Sequence, residues 1–127
     1  MNEGLIIDDN RQTADALRQM LTVLGVPSRV AYGSSPAMAL LGTAFTPRVV
    51  CLDINMPGVD GIEILLYLRR EPRLVKIPVI VITAKAQSID KVLGLTIAKV
   101  DAYIPKPFSR EDNQVVKEIW EELDPRQ

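Results

Sequence analysis

Short apolar runs alternate with stretches of helical spacing along the whole chain. Runs at 5–7, 29–32, 48–52, 78–82 and 102–104 are the expected strands. The first, third and fourth are apolar without interruption, as strands buried on both faces should be. After the first strand, Ala14, Leu17, Leu21 and Leu24 recur at helical spacing, and Gly25 with Pro27 supplies a stop. Ser35 before Pro36 reads as an N-cap followed by proline at the first helical position. Asp60 is expected to cap a helix that carries Ile62, Leu65, Leu66 and Leu68. A weaker helical pattern spans 88–98, and a last helix opens with Ser109 and Asp112 at capping-box spacing before Val116, Ile119 and Leu123.

Five strand–helix alternations predict an α/β fold, a doubly wound parallel sheet covered on both faces. The 127 residues suit one domain over 1–127, with its core over about 4–123 and 124–127 as a tail or the start of a linker. Apolar residues at 47% and charged residues at 24% match ordinary globular composition, which argues against disorder and against a membrane class. No apolar stretch approaches the roughly 20 residues of a membrane span. Met1 to Gly4 lack a basic region leading into an apolar one, so no secretory signal is expected and a cytoplasmic location is. Fifteen basic and 16 acidic residues leave a net charge of −1, no electrostatic basis for binding nucleic acid or an anionic membrane.

Two residue counts narrow the chemistry further. Cys51 is the only cysteine, so no internal disulfide forms, and its place in an apolar run reads as a small buried hydrophobe. Histidine is absent, which removes Ser-His and Cys-His nucleophile pairs and imidazole metal sites. Carboxylates, lysine, threonine and backbone remain.

In doubly wound sheets, ligands bind beyond the carboxyl ends of the strands. There the first strand delivers Asp8-Asp9, the third Asp53, the fourth Thr83 and the fifth Lys106, while the second delivers Tyr32-Gly33, which has no obvious chemistry. Asp53 ends the run Val49-Val50-Cys51-Leu52 and precedes a turn rich in Pro and Gly. Three converging carboxylates repel one another; two unit charges 4 Å apart cost about 4 kcal/mol at an effective dielectric near 20. Either one acid is neutralised or a cation binds. An open, all-oxygen site suits Mg²⁺, to which the backbone carbonyl of Asn55 would add an oxygen. With the Lys106 ammonium and the Thr83 hydroxyl, such a site suits the oxygens of a transferring phosphoryl group. A carboxylate is a competent nucleophile for that transfer, so Asp53 is the expected acceptor in a Mg²⁺-dependent step. Singly, each residue has a plainer reading: Asp8-Asp9 as a helix cap, Thr83 as a strand-end hydroxyl bonded to backbone, Lys106 as a solvated lysine and Trp120 as a core or flank residue. Together the metal and phosphoryl reading is favoured.

The segments Leu5-Ile6-Ile7-Asp8-Asp9-Asn10, Cys51-Leu52-Asp53-Ile54-Asn55-Met56-Pro57-Gly58-Val59-Asp60-Gly61, Val81-Ile82-Thr83-Ala84 and Tyr103-Ile104-Pro105-Lys106-Pro107-Phe108 stand in this order at specific spacings. In these the chain resembles a receiver domain of bacterial two-component response regulators, over nearly its whole length. The resemblance implies a flavodoxin-like sheet of order 2-1-3-4-5, with Asp53 as phosphoacceptor. Asp9 would ligand Mg²⁺ directly and Asp8 through water. Thr83 would follow the phosphoryl group, Lys106 would be its counter-ion, and Tyr103 would change rotamer. Asn55 and Lys85 occupy positions that, in the family, tune hydrolysis of the acyl phosphate, with Lys85 there either shielding the phosphoryl group or solvated, and the resemblance implies a cis peptide bond before Pro107.

The implied donor is a phosphohistidine on a sensor histidine kinase or histidine phosphotransfer protein, which fits a chain with no histidine of its own. The output would pass through the face formed by the fourth helix, fifth strand and fifth helix, where a phosphorylation-dependent homodimer would also form. Such a protein is a switch and not a multiple-turnover enzyme. Lys99-Val100, where Gly-Ala is usual, and Pro105, expected to shorten the hydrogen bonding of the last strand, depart from the family near that face. Two rivals remain. A haloacid-dehalogenase-like phosphatase would place its nucleophile after the first strand in a D-x-D motif, but here Asn55 stands where the second Asp is needed. A non-phosphorylated pseudo-receiver would act by binding alone, and the intact Asp8, Asp9, Asp53, Thr83 and Lys106 argue against it.

Overall fold

The computed structural model describes residues 3–54, 56, 61–83, 100–106 and 109–122. Five strands are found where the apolar runs lie: β1 (Gly4–Ile7), β2 (Ser28–Ala31), β3 (Val50–Asp53), β4 (Val79–Thr83) and β5 (Ala102–Pro105). All neighbouring pairs are parallel, in the order β2-β1-β3-β4-β5. Every residue of β1, β3 and β4 is buried, as their apolar runs require, and so are the polar residues Asp53 and Thr83 that end β3 and β4. Four helices are described: α1 (Arg11–Val23), α2 (Ser34–Leu41), α3 (Gly61–Arg70) and a C-terminal helix (Arg110–Glu122). The expected helix over 88–98, the Asp60 cap, Leu123 and the stretch 124–127 lie outside the described residues.

Because side chains alternate along each strand, the sheet builds two cores. Leu5, Ile7, Val50, Leu52, Val79 and Val81 meet Ala37 and Leu41 of α2 and Ile64, Leu65 and Leu68 of α3. Ile6, Cys51, Ile80, Ile82 and Ile104 face Ala14, Leu17 and Leu21 of α1 and Val116 of the C-terminal helix. Trp120 packs on the flank of this second core, with the Arg48 guanidinium 4.3 Å from its ring centroid. No helix among the described residues is long and apolar enough to cross a membrane.

The helix ends show why the segments stop where they do. Asn10 caps α1, its Oδ1 accepting from Thr13 N at 3.0 Å, so the adjacent aspartates are not needed as caps. At the other end Gly25, at φ +87°, donates to Thr22 O, and Val26 donates to Leu21 O, a paired bond pattern that only a left-handed residue permits. The C-terminal helix opens on a reciprocal capping box: Ser109 N donates to Asp112 Oδ2 at 2.8 Å and Asp112 N to Ser109 Oγ at 3.2 Å.

Two expectations are corrected. α2 is capped by Gly33 and not by Ser35, and Pro36 is its third residue. The physical reason is that the whole first turn lacks intrahelical acceptors for its N–H groups, so proline is tolerated there, while Gly33 takes a φ of +112° that serine disfavours. Pro105 does not cut the last strand short. β5 is an edge strand, where a missing N–H is tolerated, and Lys106 N resumes the ladder by donating to Thr83 O at 3.1 Å.

Candidate functional site

Parallel registry carries four strand ends to one edge. Ile7 pairs with Leu52, Asp53 with Ile82, and Thr83 with Pro105, so the residues that follow or end these strands lie side by side. Asp53 and Thr83 are the last residues of β3 and β4, and both are buried, 5% and 2% exposed. Asp8 is buried as well, at 4%, while Asp9 next to it is exposed.

Lys106 joins these acids. Its Nζ lies 2.7 Å from Asp8 Oδ2 and 3.1 Å from Asp53 Oδ2. Burial alone pulls the lysine pKa down, but its hydrogen bond to Asp8 and the charges of Asp53 and Asp8 outweigh that, and the ammonium sits above its usual range. Asp8 Oδ1 accepts from Asn10 N at 2.9 Å, which ties the acid pair to the start of α1. One carboxylate oxygen from each of Asp8, Asp9 and Asp53 lies within 4.8 Å of the others. Among the described residues Lys106 pairs with Asp8 and Asp53, and Asp9 adds a third carboxylate to this partly dry setting. Hard oxygen ligands at this separation, one of them open to solvent, fit a small divalent cation.

The exit from β3 is held by close backbone packing. Gly61 N donates to Ile54 O at 3.1 Å, and a Cβ at Gly61 would overlap the Asp53 carbonyl oxygen and come 2.6 Å from Ile54 Cα. α3 therefore starts directly against the backbone of the acid it follows. This requirement for glycine was missed from sequence; the only signal was a glycine where a helix former is usual, just after an expected cap.

Tyr103 is half-buried, packs on the core shared with α2 and α3, and its phenol is pushed up by burial. Cys51 is fully buried and its thiol is pushed up to about 12, so it is the inert hydrophobe expected. Asn55, Lys85 and the Lys106–Pro107 peptide bond fall outside the described residues. Sequence reading also missed Asn113, buried at 1%, whose Nδ2 donates to Ser109 O at 3.1 Å at the start of the C-terminal helix.

The fold and the site define a class: a doubly wound, flavodoxin-like α/β domain with an acid trio and one lysine at the carboxyl edge of its sheet. The comparisons with known proteins narrow this. The family model of the response regulator receiver domain matches residues 5–118. The transcriptional regulatory protein CpxR of Klebsiella pneumoniae subsp. pneumoniae (strain HS11286) is 36% identical over 119 residues, covering 94% of this chain and 48% of that protein. CpxR of Escherichia coli (strain K12) is 35% identical over the same length. Among solved structures, a CheY-like receiver domain from Methanospirillum hungatei JF-1 superposes with TM-score 0.82 at 25% identity, covering 100% of this chain and 99% of that one. The signal receiver domain of a DNA-binding response regulator from Colwellia psychrerythraea 34H gives 0.82 at 30% identity, over 95% and 99% of the two chains. The chain belongs to the response regulator receiver domains, the signalling modules of two-component systems. It spans about half the length of the curated relatives it matches.

Proposed function

We propose that this receiver is a phosphorylation-dependent switch in which Asp53 takes the phosphoryl group from a partner's phosphohistidine. The observation that carries the reading is Lys106 Nζ shared between Asp8 and Asp53, with Asp9 completing the trio. In the transfer, an Asp53 carboxylate oxygen forms the new P–O bond as the P–N bond of the donor breaks, and the imidazole leaves with the electron pair and is then protonated. Asp8, Asp9, Asp53 and the Asn55 carbonyl would hold Mg²⁺, whose charge would offset that of the phosphoryl oxygens. Lys106 is the fixed counter-ion of those oxygens and Thr83 donates its hydroxyl to one of them. Tyr103 then follows Thr83 inward and alters the face that partners read, formed by the stretch 88–98, β5 and the C-terminal helix.

The partner is a sensor histidine kinase or histidine phosphotransfer protein in the cytoplasm, and residues 1–127 act as one receiver unit. The curated relatives are transcriptional regulatory proteins, so gene control is the output such a receiver serves most readily. A net charge of −1 gives this chain itself no basis for binding DNA.

Incubation with Mg²⁺ and a small acyl phosphate, followed by intact-mass measurement, tests the reading. One labile phosphoryl adduct per chain is expected, absent from Asp53→Asn. No adduct from any donor with metal present sinks it, and many phosphates released per chain would favour a phosphatase.

A further inference from the structure

Arg11 and Tyr32 stand at the acid edge, and the proposed chemistry uses neither. Tyr32 follows β2, whose Ala31 is in register with Ile7, and Asp8 N donates to Ala31 O at 3.2 Å. The end of β2 therefore stands beside the Asp8-Asp9 pair, while the Tyr32 ring packs towards α1, on the core that holds Ala14, Leu17 and Leu21. A Cβ at the next residue, Gly33, would lie 4.0 Å from Asp9 Cβ, which places the end of β2 against the side of Asp9.

Arg11 begins α1 two residues after Asp9, and both side chains are exposed. A guanidinium matches a carboxylate in shape and charge, and the acids nearest Arg11 in sequence are Asp9, two residues back, and Asp15, four residues on. Yet among the described residues no ion pair joins Arg11 to Asp9 or Asp8; Lys106 is the cation paired with Asp8. The Arg11 guanidinium lies instead over the Tyr32 ring, 4.1 Å from its centroid. The phenol is itself tethered, its hydroxyl donating to Oδ1 of Asp15, one turn further along α1 on the face of Arg11. The phenol's pKa is raised, first by that hydrogen bond.

We propose that Tyr32 is a positioning residue that parks Arg11 away from Asp9 and so keeps the divalent-cation position open. The inference rests on reading the acid trio as a Mg²⁺ site. An exposed cation–π contact and an exposed ion pair are similar in worth, so a tethered ring is enough to decide where an arginine settles. Without the ring, Arg11 turns to the acid pair and competes with the metal, as a second organic cation beside Lys106.

The test is a calorimetric Mg²⁺ titration of the full chain and of Tyr32→Leu, Tyr32→Phe, Arg11→Gln and the double variant Arg11→Gln/Tyr32→Leu. Tyr32→Leu is expected to weaken Mg²⁺ binding about three- to fivefold, the factor that one exposed contact of this kind carries. Tyr32→Phe, which keeps the ring and loses the tether to Asp15, falls between it and the parent. Arg11→Gln binds at least as tightly as the parent, and in its background Tyr32→Leu has no further effect. Unchanged affinity in Tyr32→Leu overturns the proposal, as does a double variant as weak as Tyr32→Leu alone, because the ring would then act other than through Arg11. A parent chain that binds no Mg²⁺ overturns the metal reading too, whereas a parent that binds alongside an unaffected Tyr32→Leu sinks this inference alone.

Discussion

Burial acts on Cys51 with nothing to oppose it, whereas at Lys106 two carboxylates overcome it. The difference follows from position in the sheet: Cys51 lies inside β3 and Lys106 one residue past the end of β5. A thiolate inside the sheet has no cation or donor to meet, so the folded-state pKa rises from 9.0 to about 12. Below the ordinary thiol pKa both states are protonated and the full stability is present. As pH climbs from 9 towards 12 the unfolded chain releases this proton and the folded chain does not, so stability falls. Denaturant melts from pH 8 to 11 are expected to show the parent losing stability more steeply than Cys51→Val, which fills similar volume and cannot ionise. Parallel slopes for the two would show that the thiol titrates normally and that β3 opens to solvent.

The elements were legible where one signal dominates. Uninterrupted apolar runs located β1, β3 and β4 because strands buried on both faces have nothing polar to hide, and the Ser109–Asp112 spacing marked the start of the C-terminal helix. The acid trio and Lys106 were legible because strand ends of a parallel sheet share an edge, so order along the chain already implies proximity. Contacts between backbones were not. The Gly33 cap depends on a positive φ that no neighbouring residue announces, and the clasp of Arg48 on Trp120 joins segments 72 residues apart. Gly61 is the instance that bears most on function, since α3 begins against the carbonyl of Asp53. Gly61→Ala pushes a methyl into backbone that has no side chain to swing aside. A loss of about 2–3 kcal/mol in urea melts is expected, the upper part of the range for single substitutions, with an unchanged denaturant slope. Phosphoryl adduct formation at Asp53 is expected to slow in the same variant. A cost under about 0.5 kcal/mol would mean that the β3 exit yields freely and that α3 does not set the position of the acid.

At the scale of the molecule, the two edges of the sheet are built differently. At the amino ends of the strands, arginines close the loops onto carbonyls: Arg48 onto Trp120 O, Arg69 onto Ile77 O, and Arg73 onto Phe45 O and Leu41 O. At the carboxyl edge three acids come together, and among the described residues Lys106 pairs with two of them, Asp8 and Asp53. Repulsion is thus left at the end where a ligand is expected, and stability becomes a reporter of what binds there. A cation that binds only the folded state at 100 times its dissociation constant adds about 2.7 kcal/mol, roughly a 10 °C rise in melting temperature for a domain of this size. Scanning calorimetry in chelator and in excess Mg²⁺, at matched ionic strength, is expected to show that rise for the parent. Asp9→Asn removes one repelling charge and one ligand, so its melting temperature without metal should exceed the parent's while the response to Mg²⁺ largely disappears. Lys106→Met removes the internal cation, so it should melt below the parent without metal yet keep the response. The two variants therefore move in opposite directions in chelator. If both instead melt below the parent there, the trio is held by bonds within the protein and not poised against its own charge, and the carboxyl edge is a structural end like the other.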